Sequence, residues 1–255
     1  MRIENKLFVV TGGGNGIGRE VVLALLARGA RVAALDLREA ALAETTALAG
    51  TSATGRLTAY PVDVADRAAV GAVFERIAAD QGPIDGLLNV AGIIQPFVPI
   101  AELSIEDMER VLNVNFWGVV NTTKAALPQL ISRPEACVVN VSSMGGFCPV
   151  PGQSAYGASK AAVKLFTEGL YAELRGGPVD VTVVFPGAIR TGISDNSGVS
   201  VPGAEGAAPE AGGFPMTEPA EAARQILDAI TKPRSFMTMA VAGSGPCDQM
   251  RSCLK

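Results

Sequence analysis

Short apolar runs rich in Val, Leu and Ala recur along the chain, separated by longer stretches in which apolar residues return every three to four positions. Runs of the first kind predict buried strands, and stretches of the second predict helices with one face against a core. Strands are predicted at 7–11 (LFVVT), 31–36 (RVAALD), 57–63 (LTAYPVD), 86–92 (GLLNVAG), 137–143 (CVVNVSS), 179–187 (VDVTVVFPG) and 235–240 (SFMTMA). Helices are predicted over 17–28, 38–49, 66–80, 104–131, 154–175 and 218–231. This regular alternation predicts an α/β fold in which residues 1–255 form one doubly wound domain. Its sheet is expected to be mostly parallel and seven-stranded, with helices on both faces.

One segment departs from the pattern. Residues 192–215 (GISDNSGVSVPGAEGAAPEAGGFP) are rich in Gly, Ala, Pro and Ser and lack periodicity. A loop of that length in a compact domain is expected to be flexible and to serve the substrate site. The C-terminal GSGPCDQMRSCLK is also irregular, and no internal repeat is evident.

Apolar residues make up 48% of the 255 and charged residues 18%, enough for a large buried core. The net charge is −4 and the Lys and Arg residues are scattered, which argues against nucleic acid or an anionic membrane as the main partner. The sequence MRIENKLFVV enters a strand pattern with no leader-like segment, and no apolar run approaches the ~18 residues that span a bilayer. A soluble, cytoplasmic protein is expected.

There is no histidine. That removes Ser-His-Asp and Cys-His machinery, histidine metal ligands and the commonest general base together. The four cysteines, at 137, 148, 247 and 253, form no CxxC pair, so no metal site is expected and the thiols read as reduced and structural. Acid–base chemistry here must fall to Asp, Glu, Lys, Tyr or Cys.

The stretch TGGGNGIG, Thr11 to Gly18, follows the first strand and opens the first helix. Glycines there let the backbone turn tightly and approach a pyrophosphate at the positive end of the helix. Gly12, Asn15, Gly16, Ile17 and Gly18 are the candidate contacts. The second strand ends at Asp36, where a carboxylate can accept both ribose hydroxyls of an adenosine and repel a 2′-phosphate. Neither Asn15 nor Leu37 offers a positive charge, although Arg38 is near, so NAD is expected in preference to NADP. Asp63 and Val64 after the third strand, and Asn89, Ala91 and Gly92 after the fourth, lie at carboxyl ends where such ligands bind. Asn89 has an equal alternative: satisfying backbone groups at the strand end.

In YGASK, Tyr156 and Lys160 stand four apart, so on a helix their Cβ atoms are ~5–6 Å from one another. A free phenol has a pKa of about 10, and a fixed positive charge beside it favours the phenolate. The pair could equally be two residues of a helix surface.

Taken in order, TGGGNGIG, Asp36, NVAG, Asn115 of NVNFWG, Ser143 of NVSS, YGASK and PGAIRT at 186–191 resemble the short-chain dehydrogenase/reductase family over about residues 6–191. The resemblance implies a Rossmann-type domain that transfers hydride between a nicotinamide and a carbonyl or alcohol. It implies a catalytic set of Asn115, Ser143, Tyr156 and Lys160, in which Tyr156 moves the alcohol proton and Ser143 holds the substrate oxygen. Lys160 would lower the tyrosine's pKa and hold the nicotinamide ribose, and Asn115 would anchor a proton relay through water. Pro186, Gly187, Ile189 and Thr191 are then expected beside the nicotinamide. Two departures stand out: Val90 occupies a position where the family commonly has asparagine, and the C-terminal region lacks the family's usual glycine-rich closing segment.

The segments 93–100 (IIQPFVPI) and 144–154 (MGGFCPVPGQS) contain no charge. They suit a neutral, fairly apolar secondary alcohol or ketone, unless they simply pack as core. The long apolar helices at 104–131 and 154–175 resemble the family's dimer-forming pair, so a homodimer or homotetramer is expected. The rival reading is a non-catalytic dinucleotide-binding sensor of the same fold, which would have no need of Ser143 and Tyr156 together.

Overall fold

The computed structural model describes residues 1–200 and 216–231. Six parallel strands are present among them: β1 (Leu7–Thr11), β2 (Arg31–Asp36), β3 (Leu57–Pro61), β4 (Gly86–Asn89), β5 (Ala136–Val141) and β6 (Val179–Val184). They lie in the order β3-β2-β1-β4-β5-β6, so the winding reverses between β1 and β4. A crevice opens at such a reversal beyond the carboxyl ends of the strands, and ligands bind there in open α/β sheets. The seventh predicted strand, 235–240, lies outside the described residues, as do 201–215 of the predicted loop.

Side-chain alternation along each strand divides the core into two layers. Phe8 and Val10 join Val32, Ala34, Leu88 and Val139 on one face. That face is covered by α1 (Gly16–Ala27), α2 (Glu39–Ala49) and α8 (Pro219–Thr231), through Val21, Leu25, Leu42, Ile226 and Leu227. Leu7 and Val9 point the other way with Ala33, Leu87 and Val138. They meet α3 (Arg67–Gln81), α5 (Gly118–Ile131) and α6 (Ser154–Leu174) through Phe74, Ile77, Ala126, Leu130 and Leu170. Full burial of one such side chain is worth about 1.5–3 kcal/mol, which is why the apolar runs that are buried on both faces form the centre of the sheet.

The long helix predicted at 104–131 is divided. It begins as α4 (Ile105–Leu112), capped by the Ser104 hydroxyl, which accepts from the amide of Asp107. It then widens into a π-turn over Asn113–Trp117 before continuing as α5. The widened turn contains Asn115, whose side chain is fully buried and tied to another segment. Such single-turn expansions recur at functional sites because they re-aim one side chain without ending the helix. The predicted loop after β6 likewise contains a short helix, α7 (Ile193–Ser197).

Strand ends also differ from expectation. Pairing of β4 stops at Asn89, because the amides of Val90 and Ala91 donate to the Thr11 hydroxyl, at 3.0 and 3.1 Å, and leave the ladder. β3 stops at Pro61, so Asp63 follows the strand in a turn where its carboxylate accepts from the amide of Ala65 at 2.9 Å.

Candidate active site

The chain leaves β1 at Thr11 and reverses into α1 within four residues. Gly12 has φ +70°, a conformation that disfavours L side chains, and a Cβ on it would fall 2.9 Å from the Cα of Ala91. A Cβ on Gly18 would strike the Gly12 carbonyl, so α1 can approach β1 only if this residue is glycine. Asn15 caps α1, its side-chain oxygen accepting from the Gly16 amide.

A cleft open to solvent runs over this loop. Of the residues singled out in the sequence, it is lined by Gly12, Asn15, Gly16, Ile17, Gly18, Asp36, Asp63, Val64, Ala91, Gly92 and Thr191. Asp36 is held from both sides: one carboxylate oxygen accepts from the amide of Gly14 and the other from that of Arg38, each at 3.0 Å. A glycine floor at a helix start with a pinned carboxylate at the far end fits the pyrophosphate and adenosine ribose of a dinucleotide.

Asn89, Pro186, Gly187, Ile189 and the four predicted catalytic residues Asn115, Ser143, Tyr156 and Lys160 are not among the lining residues. Asn89 is buried and hydrogen-bonds behind the cleft: its oxygen accepts from Thr122 at 2.7 Å and its nitrogen donates to Asn140 at 2.9 Å. Its partners are thus other side chains, and not the backbone groups of the strand end. Asn140 passes the chain on to Thr167 at 3.0 Å. Pro186 accepts the amide of Met144 with its carbonyl, Gly187 is half-buried, and Ile189 packs against the core.

The four predicted catalytic residues adjoin the cleft at Gly92. Gly92 is the junction, since a Cβ there would lie 3.2 Å from Lys160 Nζ and 3.3 Å from Asn115 Oδ1. Asn115 accepts from the Ile93 amide at 2.8 Å and donates to the Ile93 carbonyl at 2.9 Å and to Ser159 at 3.0 Å. Lys160 is buried on α6, its Nζ donating to the Val141 carbonyl at 3.0 Å and lying 5.9 Å from the centre of the Tyr156 ring. Loss of water pushes its pKa down to about 8. Desolvation also raises the Tyr156 phenol above its usual value, opposed by a hydrogen bond with Ser143 that lowers it. The expectation that Lys160 lowers the phenol is thus modified for the chain by itself. Desolvation is the larger effect, and the opposing contribution comes from Ser143.

Several contributing residues were missed in the sequence. Thr11 positions the NVAG segment, and Asn140 links the strand ends behind the cleft. A polar residue inside an otherwise apolar strand is the available signal, because such a residue is buried only when paired. Asn196 of α7 accepts from Arg38 at 2.7 Å and from Asn15 at 3.4 Å, closing α7 onto the cleft. Nothing in the local sequence marked that long-range contact.

Cys137 and Cys148 are both buried, and burial pushes the Cys137 thiol up to about 12, which disfavours its reactive thiolate. Cys247 and Cys253 lie outside the described residues. Among the described residues no group of His, Cys, Asp and Glu is placed to hold a metal, and no helix is long and apolar enough to cross a membrane.

A family model described as short chain dehydrogenase matches residues 6–200. This chain is a member of that family, an oxidoreductase built on its Rossmann-type fold. It is 42% identical over 200 residues to SadH of Mycobacterium tuberculosis (strain ATCC 25618 / H37Rv), covering 77% of this chain and 71% of that protein. Its structure is similar, with a TM-score of 0.83 and 27% identity, to a short chain dehydrogenase/reductase from Burkholderia phymatum in complex with NAD, covering 93% and 90% of the two chains. It is also similar to the closed form of a serine dehydrogenase complexed with NADP+, with a TM-score of 0.81 and 28% identity over 94% and 98%.

Proposed function

We propose that this protein transfers hydride between NAD(H) and a neutral, fairly apolar secondary alcohol or ketone. The observation that carries the reading is the run of contacts from Gly92, in the lining of the glycine-floored cleft that also holds Asp36, to Lys160 and Asn115 and on to Tyr156 and Ser143. When bound, the nicotinamide supplies the acceptor or donor of the hydride.

The chain's own residues do the rest. Gly12, Gly16 and the start of α1 receive the pyrophosphate, and Asp36 accepts from the adenosine ribose hydroxyls while its charge repels a 2′-phosphate. Ser143 donates to the substrate oxygen and fixes it beside the phenol. In the oxidative direction the Tyr156 phenolate takes the alcohol proton, and in the reductive direction the phenol returns it. Lys160, when protonated, offsets the unfavourable desolvation of that phenolate and holds the nicotinamide ribose. Asn115 keeps the Ile93 backbone and Ser159 in place beside Lys160, consistent with a water-borne proton path to solvent. The uncharged segments 93–100 and 144–154 support an apolar substrate.

The test is the nicotinamide absorbance on mixing the protein and NAD with a panel of secondary alcohols, with Tyr156→Phe in parallel. Turnover by the natural chain and a loss on the order of 100-fold or more in Tyr156→Phe support the reading. Equal turnover by both refutes the role of Tyr156.

A further inference from the structure

Helix α6 carries both Tyr156 and Lys160, yet it is not capped in the ordinary way. The four amides at a helix start have no partner within the helix, and a Ser, Thr, Asp or Asn at the residue before it commonly accepts from those two or three positions on. Here the residue at that position is Gln153, and its side chain makes no such bond. It turns away and donates to the main-chain oxygen of Gln95 at 2.8 Å.

The acceptor comes instead from Gln95, nearly sixty residues earlier in the chain and fully buried. Its side-chain oxygen accepts from the amides of both Ala155 and Tyr156, at 2.8 and 3.0 Å, and its nitrogen donates to the Gly152 carbonyl at 2.9 Å. All three hydrogen-bonding capacities used here are directional and sit on one planar amide. The backbone of Tyr156 is therefore set by a side chain outside α6.

The segment carrying Gln95 is itself held by the catalytic machinery. Ile93 is fastened through its amide and carbonyl to Asn115, and the Ile94 amide donates to the Ser197 hydroxyl of α7 at 2.9 Å. Residues 93–95 thus join the Asn115 turn, the start of α6 and the α7 flap over the cleft.

We propose that Gln95 is a positioning residue for Tyr156, an external cap that holds the first turn of α6 in the register at which the phenol meets Ser143 and the substrate oxygen. The proposal rests on the hydride-transfer reading above. It also adds a requirement that composition of the active site does not: a side-chain carbonyl at position 95.

Two variants separate this from a simple packing role. Gln95→Met keeps length and volume but removes the acceptor, whereas Gln95→Glu keeps the acceptor and loses the donor to the Gly152 carbonyl. Each is compared with the natural chain by kcat, by cofactor affinity from nicotinamide fluorescence, and by alkaline titration of the phenol at 295 nm. A Tyr156→Phe version of each protein supplies the blank for Tyr60 and Tyr171.

Gln95→Met is expected to lose on the order of 10- to 100-fold in kcat, because small displacements of a reacting group cost that much. Its cofactor affinity should stay within about twofold, since the Gln95 side chain bonds to the start of α6 and to Gly152 just before it. Its Tyr156 titration should move upward, because the contact with Ser143 that lowers it is loosened. Gln95→Glu, which keeps the acceptor, should lose less kcat than Gln95→Met. If Gln95→Met keeps the natural kcat and phenol titration, or loses only thermal stability, the proposal is overturned. If the natural protein turns over no alcohol, the functional reading fails separately, and the phenol titration alone decides whether Gln95 positions Tyr156.

Discussion

Lys160 Nζ lies 5.9 Å from the centre of the Tyr156 ring and donates to the Val141 carbonyl at 3.0 Å. The two groups share a desolvated strip in which each is pushed toward its neutral form, the lysine downward and the phenol upward. On the proposed reading, the positive charge of an oxidised nicotinamide would favour the phenolate.

The buried ammonium has a consequence for stability. With a folded-state pKa of about 8 against an ordinary 10.5, the unfolded chain binds more protons than the folded one between those values. Stability of the cofactor-free protein from this group therefore rises as pH climbs through 8 to 10.5, and below 8 the full burden of the buried charge is present. Lys160→Met lacks the effect. Its stability relative to the natural chain is expected to fall between pH 7 and pH 10.5 by up to about 3 kcal/mol. Denaturant unfolding at the two pH values measures this, and parallel stabilities would show that the ammonium is not desolvated.

Asp36→Ser should shift the cofactor preference. The substitution removes the charge that repels a 2′-phosphate while leaving Arg38 beside the cleft. The ratio of kcat/KM for NADP to that for NAD is expected to rise by about tenfold or more, equivalent to about 1.4 kcal/mol. An unchanged ratio would remove Asp36 from the specificity argument.

Asp85 works at the opposite end of the sheet. Its side chain, 3% exposed, meets Arg133 at 2.8 Å and Lys6 at 3.3 Å, and it accepts from the Leu7 amide at 2.9 Å. Asp85→Ala orphans that amide and leaves two cations uncompensated, so a loss of about 3–5 kcal/mol is expected. Asp85→Asn, which can still accept from Leu7, should lose less. Chemical denaturation distinguishes them, and kcat of the folded protein should match the natural chain because the group is remote from the cleft.

Trp117 and Leu165 are 52% and 69% exposed, next to the edge-on pair Phe116–Phe166. An apolar surface of that kind on α6 and the turn before α5 supports the expectation of a homo-oligomer. Leu165→Asp combined with Trp117→Glu is expected to yield a monomer by light scattering. A natural chain already monomeric at micromolar concentration would end that expectation.

What the sequence determined by itself is what depends on near neighbours. The strand and helix periods, the Thr11–Gly18 turn, Asp36 at the end of β2 and the four-residue spacing of Tyr156 and Lys160 are all local. Local sterics and side-chain period are enough to specify them. The absence of histidine left Asp, Glu, Lys, Tyr or Cys for acid–base chemistry, and the family resemblance pointed to Tyr156 among them. What the tertiary structure alone decided are relations between segments far apart in the chain. It assigned Asn89 to a buried network with Thr122 and Asn140, widened the helix around Asn115, and brought Asn196 onto Arg38. It also placed Gln95 over the start of α6. Each is a buried or bridging polar group that must find its partner wherever folding brings one, and the partner's identity is written in no local pattern.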